Sequence, residues 1–170
     1  MQPFAFLTND FRTTRVSAPI PVEDSIKRLG KGVISNAHMV GDKRKYNVAL
    51  ITLVTKGATG EKPGSNDLDG FALDVVPGVT TVTQAIANQQ FTEKIEQIIK
   101  DTNADGSACP SNASKITKFT ILPVDYSVEG EELTSTLKLK RSVVEKKYTK
   151  AIDAMFDESL GVAMYVPFKA

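Results

Sequence analysis

Two short apolar runs on either side of a six-residue polar turn constrain this chain more than any other feature. Residues 33–40 and 47–54 are rich in Val and Ile, and each has the length of a buried strand rather than of a helix. Between them lies Gly41-Asp42-Lys43-Arg44-Lys45-Tyr46. A parallel connection needs a crossover of roughly a dozen residues or more. The two runs are therefore expected to pair antiparallel, with a basic tip.

The remaining elements follow from punctuation and period. Pro19-Ile20-Pro21-Val22-Glu23-Asp24 reads as a helix start, with proline in the first turn and two acids suited to the positive helix end. Ile26 and Leu29 continue its apolar stripe, and Gly30 and Gly32 end it. Residues 56–78 are rich in Gly and Pro and are expected to form a long surface loop. Thr80 or Thr81 can cap a helix whose face is Val82, Ile86, Phe91, Ile95, Ile98 and Ile99, with a break near Asn88-Gln89-Gln90. Residues 111–115 suit a short helical turn, and 116–122 a third strand stopped by Pro123. Val144, Tyr148, Ala151, Ile152 and Met155 repeat along one side of a helix over 142–156. Residues 1–17 show no period and stay unassigned. The sum is an α+β domain, a small three-stranded, mainly antiparallel sheet packed with three or four helices. At 170 residues, one domain with a proper core is expected.

Charge separates function classes only locally. A formal net charge of +1 makes no global case for nucleic acid or an anionic membrane. Residues 125–132 carry Asp125, Glu129, Glu131 and Glu132 without a base, whereas 138–150 carry six Lys or Arg against Glu145 alone. That basic stretch fits an amphipathic surface helix, or a contact for anionic lipid or nucleic acid. No aromatic-rich sheet or nucleic-acid motif accompanies it, so no nucleic-acid partner is expected. The single Cys109 excludes an internal disulfide framework and a cysteine-rich metal site, and with no local base it is expected to be an idle thiol. His38, the sole histidine, sits in an apolar strand without a second imidazole, so a packed core or edge residue is expected and no metal site. No run approaches the ~20 apolar residues of a membrane span, and the N-terminus lacks a basic signal-type region. The expected location is cytoplasmic or peripheral to a membrane.

Lys138 lies in Leu133-Thr134-Ser135-Thr136-Leu137-Lys138-Leu139-Lys140, after Glu129-Gly130-Glu131-Glu132. One reading is a solvated surface lysine. The other is a mobile cation, carried on a flexible loop, that neutralises charge developing on a carboxylate and a phosphate. The Lys43-Arg44-Lys45 turn has two readings as well, a solvated hairpin tip or a phosphate contact.

Four segments in order carry a family resemblance. They are Ala18-Pro19-Ile20-Pro21-Val22-Glu23-Asp24; Ile34-Ser35-Asn36-Ala37 with Val40-Gly41-Asp42-Lys43-Arg44-Lys45-Tyr46; Thr117-Lys118-Phe119-Thr120-Ile121-Leu122-Pro123 with Asp125-Tyr126-Ser127; and residues 132–141 with Val143-Val144-Glu145-Lys146-Lys147-Tyr148. Over residues 18–156 the chain resembles the C-terminal, or lid, domain of long-chain fatty-acid–CoA ligases of the bubblegum type, members of the acyl-adenylate-forming enzymes. The resemblance implies a catalytic role for Lys138 in adenylation; for Lys43, Arg44 and Lys45 the phosphate reading, which rests on their clustered charge, would concern the phosphates of CoA. It leaves 157–170 as a tail. Ser135 stands where the family usually has proline, and Thr13-Thr14-Arg15-Val16-Ser17 replaces the Gly-containing loop at the domain joint.

The resemblance also implies ATP, CoA and Mg2+ for the complete enzyme, none of them bound tightly by this chain. The ATP site belongs to an N-terminal adenylation domain, a partner if separately encoded, and fatty acid and CoA are the substrates. The chain is expected to be inactive alone. The alternative is a non-catalytic binding or regulatory module that kept the fold.

Overall fold

Strand β2 (Asn47–Leu53) is buried at every position, and it organises everything else in the computed structural model, which describes residues 18–170. Its side chains alternate, as a strand's must. Ala49, Ile51 and Leu53 enter one core, whereas Val48 and Leu50 enter another. A strand covered on both faces has no polar side to show, which is why residues 48–51 read as an unbroken apolar run.

β1 (Ile34–Val40) pairs with β2 antiparallel, as the short turn requires. β3 (Ile116–Ile121) lies on the other side of β2 and runs parallel to it. The sheet is thus mixed, because the long connection between β2 and β3 holds helices and can supply a crossover.

Helices α1 (Pro19–Leu29), α2 (Val82–Ala87) and α3 (Gln89–Ala104) cover one face. There Val22, Ile26, Phe91, Ile95 and Ile99 pack on Ala49, Ile51, Phe119 and Ile121. Helices α4 (Arg141–Lys147) and α5 (Thr149–Met155) cover the opposite face, where Val144, Ile152 and Met155 pack on Val48, Leu50 and Leu122. Five helices appear because both long helical patterns are interrupted. Asn88 ends α2, and its side chain then accepts the Phe91 N–H to start α3. Tyr148 separates α4 from α5.

Three local expectations need correction. Since α1 begins at Pro19, Glu23 falls in its second turn and does not serve the positive helix end. Its carboxylate is buried instead. The Gly- and Pro-rich segment 56–78 is not merely a surface loop: Leu68 and Ala72 are fully buried, Ala72 within a 3-10 turn (Gly70–Asp74). Lastly, residues 164–166 lie along β3. Phe119 N–H donates to the Met164 carbonyl (2.8 Å) and Val166 N–H to the Phe119 carbonyl (2.9 Å). The N-terminal segment 1–17, with its Thr13–Ser17 departure at the domain joint, lies outside the described residues.

Candidate functional site

Beyond β3 the chain turns at Pro123 and buries Asp125 at once. Its carboxylate accepts from the Ser35 hydroxyl (2.5 Å), the Asn36 amide (2.9 Å), the Thr52 hydroxyl (2.6 Å) and the Tyr126 N–H (2.8 Å). Ser35 and Asn36 can both reach it because the β1–β2 register shifts between Ile34 and Asn36. A bulge re-aims side chains in this way.

Glu132, only 1% exposed, holds the second point. It accepts the Ser127 N–H (3.1 Å) and the Tyr148 hydroxyl (3.3 Å), and pairs with Lys147. Lys147 also donates to the Gly130 carbonyl (3.1 Å). Burial, then the Glu132 charge, push the Tyr148 phenol well up. Burial does the same to Tyr126, whose hydroxyl has no hydrogen-bond partner among the described residues. The acidic segment expected to be a flexible loop therefore has two of its four carboxylates internalised.

Between these anchors and α4 stands the lysine loop. Leu133 and Leu139 bridge antiparallel across its base. Inside it, the Thr134 N–H donates to the Lys138 carbonyl and the Leu137 N–H to the Thr134 carbonyl, both at 2.8 Å. The Thr134 hydroxyl oxygen accepts the Lys138 N–H (3.1 Å) and lies 3.0 Å from the Thr136 hydroxyl. The threonines thus close the turn from within. Leu137 adopts φ +62°, a left-handed conformation costing an ordinary residue roughly 1–2 kcal/mol. It lies against Gly60, where an added Cβ would come within 2.9 Å of Leu137 Cδ2. The Gly60 and Glu61 carbonyls also accept the Val128 and Glu129 N–H groups. The loop therefore rests on a second loop, and Lys138 is exposed where the turn closes on Thr134. Among the described residues no carboxylate pairs with Lys138.

The structure does not bring the Lys43-Arg44-Lys45 turn to Lys138. The turn precedes the first residue of β2, whereas the Gly60 loop follows its last, so the whole strand, ~20 Å long, lies between them along the chain. Arg44 pairs with Asp153 (3.2 Å) and lies over the Phe156 ring (4.7 Å), and Lys45 pairs with Glu158 (2.6 Å). Lys43 has no ion pair among the described residues.

One cluster escapes sequence reasoning. Glu23 takes Arg141 bidentately, at 2.7 and 2.6 Å, and accepts the Met39 N–H (2.8 Å). His38, fully buried, stands between Arg141 (Nδ1, 3.0 Å) and Glu145 (Nε2, 3.1 Å). Burial raises the Glu23 pKa, but hydrogen bonds from His38, Arg141 and Met39, with the Arg141 charge, outweigh it and hold the carboxyl down at about 2. A signal was available: Glu23 sits between Val22 and Ile26, inside the apolar stripe of α1.

Cys109 is buried, with Sγ 3.6 Å from the Ser114 carbonyl, and burial pushes its thiol up. Among the described residues no three His, Cys, Asp or Glu side chains are placed to hold a metal ion. No helix is long and apolar enough to cross a membrane.

With this geometry in hand, comparison with known proteins is informative. The family model for the AMP-binding enzyme C-terminal domain matches residues 72–160. Long-chain-fatty-acid–CoA ligase ACSBG2 of Gallus gallus is 33% identical, covering 92% of this chain and 22% of the relative. The Homo sapiens ACSBG2 ligase is 34% identical, over 90% of this chain and 24% of its own length. The Homo sapiens ACSBG1 ligase is 30% identical, over 91% and 22%. The chain thus spans less than a quarter of the length of these relatives.

Proposed function

This chain belongs to the AMP-binding enzyme C-terminal domain family, and from that premise we propose that it is the lid domain of a long-chain fatty-acid–CoA ligase. The reaction proposed for the complete enzyme joins a fatty acid to CoA in two steps. A carboxylate oxygen attacks the α-phosphorus of ATP and pyrophosphate leaves. CoA thiol then displaces AMP from the acyl-adenylate. Lys138 would act in the first step. Its ammonium group would neutralise the carboxylate and α-phosphate oxygens as negative charge gathers between them.

The observation that carries this reading is the setting of Lys138. It is exposed on a loop whose closing backbone and threonine bonds it shares, and its side chain is unclaimed by any described carboxylate. A cation already paired at home would have to break that pair before reaching substrate. Fatty acid, ATP and CoA would meet this chain only together with an adenylation domain. Among the described residues no side-chain cluster is placed to hold Mg2+. For Lys43, Arg44 and Lys45 we propose a secondary role toward CoA phosphates. Arg44 and Lys45 would have to exchange Asp153 and Glu158 for phosphate, whereas Lys43 would not.

The test is Lys138→Ala in this chain combined with the adenylation domain of a relative, scored by pyrophosphate release from fatty acid and ATP. A fall of about 10²–10³-fold is expected, the range for losing one preorganised charge stabiliser. Little change would favour the alternative, a binding or regulatory module that kept the fold without the chemistry.

A further inference from the structure

Lys138 needs a fixed foot as well as a free tip, and the downstream foot of its loop is the weaker one. Upstream, Asp125 and Glu132 are buried anchors. Downstream the loop runs into α4, a seven-residue helix without a side-chain N-cap, whose entry carries Lys140 and Arg141. So short a helix does not hold itself, and cations at its positive end oppose it. Its start has to be fixed from outside.

We infer that Glu23, Arg141 and His38 are positioning residues for Lys138, an inference that rests on the catalytic role proposed above. Arg141 follows Lys138 by three positions and is the first residue of α4. Its two terminal nitrogens meet both oxygens of Glu23, and Nη1 lies 3.0 Å from His38 Nδ1. Nδ1 also lies 3.4 Å from Glu23 Oε1, and Nε2 stands 3.1 Å from Glu145, one turn further along the same helix. Glu23 also takes the outward Met39 N–H of edge strand β1. The cluster thus ties three elements together at the loop's foot: α1, the edge of the sheet and the first turn of α4. Glu23 is 6% exposed and His38 wholly buried, so water does not replace these bonds cheaply. A lysine at 141 would keep the charge but could not supply the planar fork and the histidine contact together.

Two measurements decide the matter. In the 170-residue chain, Arg141→Lys and Glu23→Gln should speed amide exchange of residues 133–140 by about tenfold or more through local opening. Amides of β2 and α3, which open only with the whole domain, should follow the change in global stability alone. In the chain combined with an adenylation domain, Arg141→Lys should lower kcat of acyl-adenylate formation by about tenfold at unchanged KM, the cost of a misplaced group. Conversion of preformed acyl-adenylate to thioester should hold within about twofold. Unchanged exchange in the loop overturns the inference, as does an equal loss in both half-reactions, which marks a merely structural role. Full activity of Lys138→Ala would instead remove the catalytic role itself, a failure told apart because the exchange rates report the pinning without reference to turnover.

Discussion

The two faces of the sheet are held by different physics. Under α1, α2 and α3 the contacts are hydrocarbon on hydrocarbon, with Ile26, Phe91, Ile95 and Ile99 fully buried against β2 and β3. On the side of α4 and α5 an apolar core is also present, but the loop above it is fixed by three buried carboxylates. Asp125 and Glu132 arise in the loop itself, and Glu23 reaches round the edge of β1. Apolar burial has no direction, so the first face sets how strongly the domain folds and leaves fine placement loose. Charge-assisted hydrogen bonds have length and angle. The second face therefore sets where the backbone around Lys138 stands. The loop that presents a single cation grows from the directional side.

Truncating the hydrocarbon face should bring the largest loss of stability. Phe91→Ala is expected to cost about 3–5 kcal/mol by urea denaturation, and a loss under ~1 kcal/mol would mean that this face does not carry the fold. Asp125→Ala comes next, at about 2–4 kcal/mol, because it strands Ser35, Asn36 and Thr52 next to a void. Unlike Phe91→Ala, it should also loosen residues 126–133 in amide exchange while the domain is still folded. If both variants loosen that segment equally, the division between the faces fails.

The smallest effect is the most diagnostic. The Glu23 carboxyl is held at about 2 against an ordinary 4.5, so its contribution is present above pH ~4.5 and is lost as pH falls toward 2. Glu23→Gln should therefore be less stable than the parent by about 2 kcal/mol at pH 7. The two stability curves should converge near pH 2. Parallel curves would show that the carboxylate gains nothing from Arg141, His38 and Met39.

The same division governs what could be seen in the amino-acid order. Elements on the hydrocarbon side follow from local period and caps: the hairpin strands, the break at Asn88 and the stripe from Val82 to Ile99 all stand where spacing puts them. The motif around Lys138 singles out that lysine, since its neighbours are adjacent in the chain. The carboxylate side stayed hidden, since its bonds join residues far apart in the chain, Glu23 to Arg141 across 118 positions and Asp125 to Ser35 across 90. No window of local sequence reports such a pair. The parallel course of β3 was equally out of reach, for a long connection permits either direction. Leu68 and Ala72 were masked by the glycines and prolines around them.

The lone thiol offers an experimental handle. Cys109 is the chain's sole cysteine, shut away beside Ser114 between α3 and β3. Alkylating reagents can reach it only when that corner opens. Its modification rate is thus a clock for breathing of the hydrocarbon side, and it needs no engineered label. Alkylation quickened by denaturant, with spectra of the lysine loop still native, would time the opening of one half of the molecule against the other.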